Sequence, residues 1–319
     1  NSWVISKLAP SLKDIDNGNF LQKFQEYLEN PEMYKKERFI LKAASYLATK
    51  WEFSIVYQTS QFLNDIEDVK KSVDEEIEDY YELIGVRKIA LNKKLAKIID
   101  LSGRLRFQKR WAQTPRVPET SVLGHMLTVA IFGYFFSIEV NACDKRLQNN
   151  FFTALFHDLP EALTRDIITP VKYCVDELSD IIAEYEIEKI EDDILPNIPD
   201  ILHDEFSYIL GLYDGVKEEF ENKIYEDKIQ IIEDVSKYNS DRYNAIDGLA
   251  LKQCDKLSAF VEASLSISHG IKSKELISGK KEILKALKVI QGVDFKAIAT
   301  QIDYEFGTTG QTQVRMEFD

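Results

Sequence analysis

Residues 121–138, SVLGHMLTVAIFGYFFSI, constrain this chain more than any other stretch. At the helical period the segment is apolar nearly all round, so a helix here has no face suited to water and must be enclosed by other elements. Its longest apolar run, Met126 to Ile138, includes Gly133, Tyr134 and Ser137 and falls short of the roughly 18 residues that a membrane span needs. A buried core helix is therefore expected, and no membrane association. His125 lies near its start. An imidazole in such surroundings must find a partner or stay neutral, and taken alone it reads as a satisfied core histidine.

Most of the remaining chain carries helical patterning. Asn30 offers an N-cap and Pro31 a first helical position for the segment that follows. From Glu52 to Leu83, apolar residues at helical spacing alternate with many acids, and Gly85 supplies a stop. Residues 86–108 predict an amphipathic helix, and 146–157 another with Phe151, Phe152, Ala154, Leu155 and Phe156 in the core. Pro160 cannot donate an amide hydrogen, so a break is expected at Asp158 to Leu159 and a short new helix from Pro160. LPNIPD at 195–200 is a loop, 203–237 reads as exposed acidic helix, and 244–267 returns to a buried pattern. Near the end, Ile302, Tyr304 and Phe306, then Val314, Met316 and Phe318 after a Gly-Thr-Thr-Gly turn, predict a small β-hairpin. The expected fold class is all-α, a helical bundle with an additional N-terminal helical region. Its divisions are an N-terminal helical extension packed on the core (1–100), a domain carrying the chemistry (101–270), and a C-terminal helix with the hairpin (271–319).

Charge and cysteine usage narrow the function. The 319 residues carry a formal net charge of −14, which repels a phosphate backbone at long range and argues against nucleic-acid binding. A small anionic substrate remains compatible, because a metal or a few local cations outweigh the global field at a site. Cys143, Cys174 and Cys254 are odd in number, widely spaced and without a C-x-x-C pair, which argues against a disulfide framework or a cysteine zinc site and fits a reducing cytoplasm. No basic segment followed by an apolar run opens the chain, so no secretory signal is expected.

Four histidines occur, at 125, 157, 203 and 269. His157 is followed directly by Asp158, and imidazole nitrogen beside carboxylate oxygen suits a divalent ion of borderline hardness. Asp255 lies inside the buried 244–267 pattern; it either turns outward toward a lysine such as Lys252 or points inward as a ligand. Together His125, His157, Asp158 and Asp255 form a two-His, two-Asp set from three helical segments. Such a set leaves positions for water on a six-coordinate ion such as Mn²⁺, Co²⁺, Fe²⁺ or Mg²⁺. Glu161 is placed to act as a general base or to favour a helix start, and Asp166 to orient the water network.

These residues resemble the H…HD…D signature of HD-domain metal-dependent phosphohydrolases, and within them the bacterial HD-domain 5′-deoxynucleotidases. The resemblance runs from about Arg104 to about Ser264, through KRW ending at Trp111, ETSVLGHMLTVA, FHDLPEALTRDIITPVKY and KQCDKLSAFVEA. It implies that His125, His157, Asp158 and Asp255 bind one divalent metal ion (Mn, Co, Fe or Mg), that Glu161 activates the attacking water, and that Asp166 stands beside it. It further implies phosphate contacts from Arg110 and Lys172, with Trp111 near the sugar edge. The substrate implied is a nucleoside or deoxynucleoside 5′-monophosphate or a similar small phosphate ester. A phosphodiesterase, a nucleoside triphosphate hydrolase and a non-catalytic signalling protein are the alternatives, and a homodimer is compatible because such domains often associate in pairs. Gly124 and Met126 flank the first histidine where the family commonly has Glu and Ser.

Overall fold

The computed structural model describes residues 1–164 and 178–312. The chain divides into two compact units, one of residues 1–103 with 196–200 and one of residues 104–195 with 201–319. The first unit is helical. Its longest helix, Lys35–Thr59, buries Ala43 and Tyr46, and the Tyr46 hydroxyl donates to the Val73 carbonyl at 2.8 Å. Asp74 accepts from Lys50 at 2.7 Å and from Lys70 at 2.6 Å. Partly exposed pairs of this kind contribute about 0–1 kcal/mol each, so burial and backbone helicity hold this unit more than its ions do.

The second unit is built around the apolar segment. Val122–Glu139 forms one helix, and its N-cap Ser121 accepts from the Gly124 amide at 3.0 Å, satisfying one of the open amides of the first turn. The helix extends beyond the Met126–Ile138 run, and its 18 residues with mean hydropathy 1.5 do attain the length and apolarity of a membrane span. It buries Val122, Met126, Val129, Ala130 and Phe136, which places it in a core. Enclosure is not complete, since Leu127 and Ile131, one turn apart, are 50% and 42% exposed.

The helices Asp144–Phe156 and Gly248–Ser268 pack against it. At Gly133 a Cβ would lie 2.9 Å from Leu251 Cδ2 and 3.7 Å from Ala154 Cβ, so glycine allows three helices to meet there. Lys274–Ala286 and Phe295–Thr312 close the back of this layer, with Phe295 stacked on Phe136 at 6.0 Å between centroids. Each fully buried Leu or Phe in the cluster contributes about 1.5–3 kcal/mol.

One buried polar network crosses this core. Arg146 donates from Nε and Nη2 to the two carboxylate oxygens of Asp247, both at 2.7 Å, and Asn150 donates to Asp247 Oδ2 at 2.8 Å. Gln291 accepts from Arg146 at 2.7 Å and donates to Asp247 at 2.6 Å. A buried ion pair survives desolvation only when its remaining donors and acceptors are filled, as they are here.

Several expectations need correction. Asn30 ends the preceding helix, Asn19–Glu29, and the next begins only at Lys35. The 52–83 pattern breaks after Thr59 into Ile66–Glu75 and a 3₁₀ turn, while Gly85 lies inside Ile84–Ala90 rather than stopping a helix. The acidic helix over 203–237 is replaced by a short helix, His203–Ile209, and a β-region. There Leu212–Tyr213 pairs with Val216–Lys217 across Asp214 (φ 46°) and Gly215 (φ 75°), both in the left-handed region that a tight hairpin turn requires. Asn222–Tyr225 lies between Ile229–Ile231 and Ile246–Asp247 in an antiparallel sheet.

The Ile302, Tyr304, Phe306 alternation belongs to the helix Phe295–Thr312, not to a strand, and residues 313–319 lie outside those described. A hairpin does occur nearby, where Val289–Ile290 pairs with Val293–Asp294 across Gln291-Gly292, again with both turn residues at positive φ.

Candidate metal centre

Three local devices bring the chemistry together. The Ser121 cap fixes the first turn that carries His125. Lys109 bridges to Ser121, and the Arg110 amide donates to the Thr120 carbonyl at 2.9 Å, so Arg110 and Trp111 are carried to the same helix start. The helix Asp144–Phe156 ends at His157, the turn 157–160 follows, and Glu161 opens the short helix Glu161–Thr164, as Pro160 predicts. This break releases His157 and Asp158 from the divergence that a continuing helix would impose.

Donor atoms of His125, His157 and Asp158 all lie within 4.8 Å of one another. Asp255 joins them, with Oδ1 2.9 Å from His125 Nε2, and Asp158 Oδ2 is 3.2 Å from His157 Nε2. Both rings turn their other nitrogen to an acceptor: His157 Nδ1 donates to the Ala154 carbonyl at 2.8 Å and His125 Nδ1 to Glu262 Oε1 at 2.9 Å. In a neutral ring so oriented, Nε2 carries a lone pair. Each lone pair would then face a carboxylate oxygen, an arrangement that needs a proton or a cation between the two. Two imidazoles and the Asp158 carboxylate gathered in one small volume, with Asp255 against His125, fit a divalent ion of borderline hardness.

The electrostatics follow from the same contacts. Burial opposes a charged His157, but the Asp158 carboxylate outweighs it and raises the ring to about 9. Asp158 is also disfavoured as an anion by burial, yet His157 draws it far below the usual carboxylate range. At His125, burial and the nearby Arg110 charge act downward, and the bonds to Asp255 and Glu262 leave a net rise. Asp255 and Glu262 resist the upward push of burial and are lowered, chiefly by His125.

A pH dependence of the chelated protein follows. His157 contributes stability that is fully present below its unfolded value near 6.5 and is lost as pH rises through about 9. Thermal midpoints of EDTA-treated protein should fall between pH 6.5 and 9, and saturating Mn²⁺ should abolish that fall by replacing the proton. A flat profile in EDTA would contradict the His157–Asp158 pairing.

Glu161 is buried, and its backbone carbonyl accepts from Gln108 Nε2 at 2.9 Å. Arg110 bears electrostatically on His125, Asp158, Asp255 and Glu262. Trp111 has φ 55°, and its indole N–H donates to Glu262 Oε2 at 3.0 Å. Asp166 and Lys172 lie outside the described residues.

Three contributors escaped the sequence reading. Glu262 and Arg116 form an ion pair at 3.3 Å, both almost fully buried. The Glu262 signal was available, since it stands seven residues after Asp255, two turns along the same helix face. Phe220, from the β-region, packs its ring 5.5 Å from that of His157. Nothing local announces that contact.

A model of the HD domain family matches residues 102–284. The chain is similar to a 5′-deoxynucleotidase of Cronobacter sakazakii, 27% identical over 193 residues, covering 58% of this chain and 79% of that protein. It is also similar to the 5′-deoxynucleotidase YfbR of Salmonella arizonae, 27% identical over 198 residues, covering 60% of this chain and 84% of the relative. Among solved structures, an HD-domain phosphohydrolase of Listeria innocua matches with a TM-score of 0.43 and 19% identity, over 69% of this chain and 86% of its own.

Proposed function

The chain belongs to the HD domain family of phosphohydrolases, and from that premise we propose that it removes phosphate from a nucleoside 5′-monophosphate, with deoxynucleotides as the favoured class. The observation that carries this reading is the convergence of His125, His157 and Asp158, with Asp255 against His125 and both Nε2 atoms facing carboxylate oxygens. The two deoxynucleotidase relatives support the substrate class.

In this reading His125 and His157 present Nε2, and Asp158 and Asp255 present carboxylate oxygen, to one divalent cation. When bound, that cation supplies Lewis acidity toward a phosphoryl oxygen and makes water more acidic. The hydrogen bonds from Nδ1 to Ala154 and Glu262 hold the rings in the orientation this requires. Glu161 takes a proton from the water that attacks phosphorus as the bond from phosphorus to the sugar oxygen breaks, and the sugar oxygen leaves as a hydroxyl, protonated from solvent. Arg110 meets the phosphate and Trp111 the sugar edge. Asp166 and Lys172 keep the water-orienting and phosphate-binding roles that the resemblance implies. A reducing, cytoplasmic setting belongs to the same reading and suits the free thiols of Cys143 and Cys254.

Phosphate release screened over ribo- and deoxyribonucleoside monophosphates, with Mn²⁺, Co²⁺ and Mg²⁺ in parallel, tests metal, bond and sugar together. Glu161→Gln should lower kcat about 10²- to 10⁴-fold while metal content stays unchanged. Full activity of that variant on every wild-type substrate would remove Glu161 from its role. Pyrophosphate or a nucleotide as product would replace the monoesterase reading with a triphosphate or diester hydrolase.

A further inference from the structure

Glu262 lies on the helix Gly248–Ser268 with its side chain 6% exposed, and each of its two oxygens has a separate task. Oε1 accepts from His125 Nδ1 at 2.9 Å. Oε2 accepts from Trp111 Nε1 at 3.0 Å and from Arg116 Nη1 at 3.3 Å. Ser258, one turn before Glu262, places its hydroxyl 3.1 Å from the same His125 nitrogen. A charged hydrogen-bond acceptor buried to this degree is costly unless filled on both oxygens.

The partners are themselves restrained. Arg116 donates to Thr120 Oγ1 at 2.9 Å and to Ser266 Oγ and the Glu262 carbonyl at 3.3 Å, so it cannot follow a displaced carboxylate far. Trp111 holds a left-handed backbone conformation, φ 55°, that costs a bulky residue about 1–3 kcal/mol and persists only where surroundings enforce it. Beyond the indole N–H, the ring is stopped by the helix Lys274–Ala286, where a Cβ on Gly279 would lie 2.9 Å from Trp111 Cη2. Indole, carboxylate and imidazole thus form one continuous chain of contacts.

We propose that Glu262 is a positioning residue that couples the orientation of the metal-ligating His125 ring to the placement of Trp111. The inference rests on the metal-site reading above and deepens it. Glu262 keeps Nδ1 protonated, which reserves Nε2 for the cation and raises its basicity. Arg116 and Trp111 keep the carboxylate from rotating away. The dependence is mutual, because a coupling free energy between two sites acts equally in both directions.

Isothermal titration with Mn²⁺ on the full chain, after chelation and at fixed pH, tests the coupling without reference to turnover. Wild type should bind one equivalent; absence of any binding would sink the metal-site reading itself. Given that binding, Glu262→Gln should weaken Mn²⁺ affinity about 10- to 100-fold, the size seen when a partner of a ligating histidine is lost. Trp111→Phe keeps an aromatic side chain but removes the indole N–H, and should weaken affinity about three- to tenfold by freeing the carboxylate to turn toward Arg116. In the double variant the Trp111→Phe effect should vanish, since its route runs through Glu262.

A purely structural role predicts lowered thermal midpoints in all variants but equal Mn²⁺ affinity and no interaction in the cycle. Affinity within twofold of wild type in Glu262→Gln overturns the proposal. Should that variant fail to fold, the Trp111→Phe variant decides alone, and unchanged affinity there overturns the coupling.

Discussion

Asp158→Ala is expected to abolish stoichiometric binding of a divalent cation and to lower phosphate release about 10³-fold or more, the several kcal/mol that a Lewis acid supplies to a phosphoryl transition state. Asp158 is one of three residues whose donor atoms lie within 4.8 Å of one another. It is also the anion that faces His157 Nε2 at 3.2 Å. Alanine removes both the donor and the charge that supports its neighbour, so added Mn²⁺ should not restore activity. Metal analysis of the purified variant and a phosphate-release assay read the two losses separately. A variant that retains its metal and its rate would place the cation away from the His157–Asp158 corner.

Asp247→Ala should produce the largest stability loss outside the metal centre, about 3–5 kcal/mol, because it leaves the Arg146 guanidinium buried without its counter-ion. Both side chains are almost wholly inaccessible, and the pair is joined by two bonds of 2.7 Å. Arg146, Asn150 and Gln291 all lose a partner in the variant. Asp247→Asn, which keeps the shape and one acceptor, should lose less. Urea unfolding followed by circular dichroism measures the shift, and equal midpoints for Asp247→Ala and wild type would show that water replaces the carboxylate at little cost. Metal binding should persist in Asp247→Asn, since none of these bonds involves a candidate metal ligand.

The candidate donors are legible in the sequence because their chemistry is local in three places. His157-Asp158 is a dipeptide, Pro160 forces the turn that lets both side chains leave the helix together, and His125 stands in a segment, 121–138, that carries no Asp, Glu, Lys or Arg. Asp255 was ambiguous until its distance to His125 was known, because a carboxylate on a helix can turn to either side. The β-region was misread for a different reason. Its acids, among them Glu218, Glu219 and Glu221, imitate a solvated helix face, and the Asp214-Gly215 turn that opens the hairpin is a signal only two residues long. Lys217 and Lys223 make that segment fold inward: Lys217 meets Glu186 and Glu219 at 3.1 Å, and Lys223 donates to the Glu218 carbonyl at 3.3 Å. Burial lowers Lys223 to about 8, a consequence that no hydropathy pattern anticipates for a lysine.

By itself the sequence determined a helical protein with a buried central helix, the kind of residue available to hold a metal, and the break that frees two of those residues. Periodicity, proline geometry and side-chain chemistry act over a few residues, so a linear reading captures them. Only the tertiary structure decided that Asp255 reaches His125 across 130 positions and that Glu262 reaches it across 137. It also set Phe220 from the β-region beside His157. Such contacts are chosen by how helices pack, through the close approach at Gly133 and the burial of the Arg146–Asp247 pair. Packing is a property of surfaces that the chain acquires only once its elements have formed.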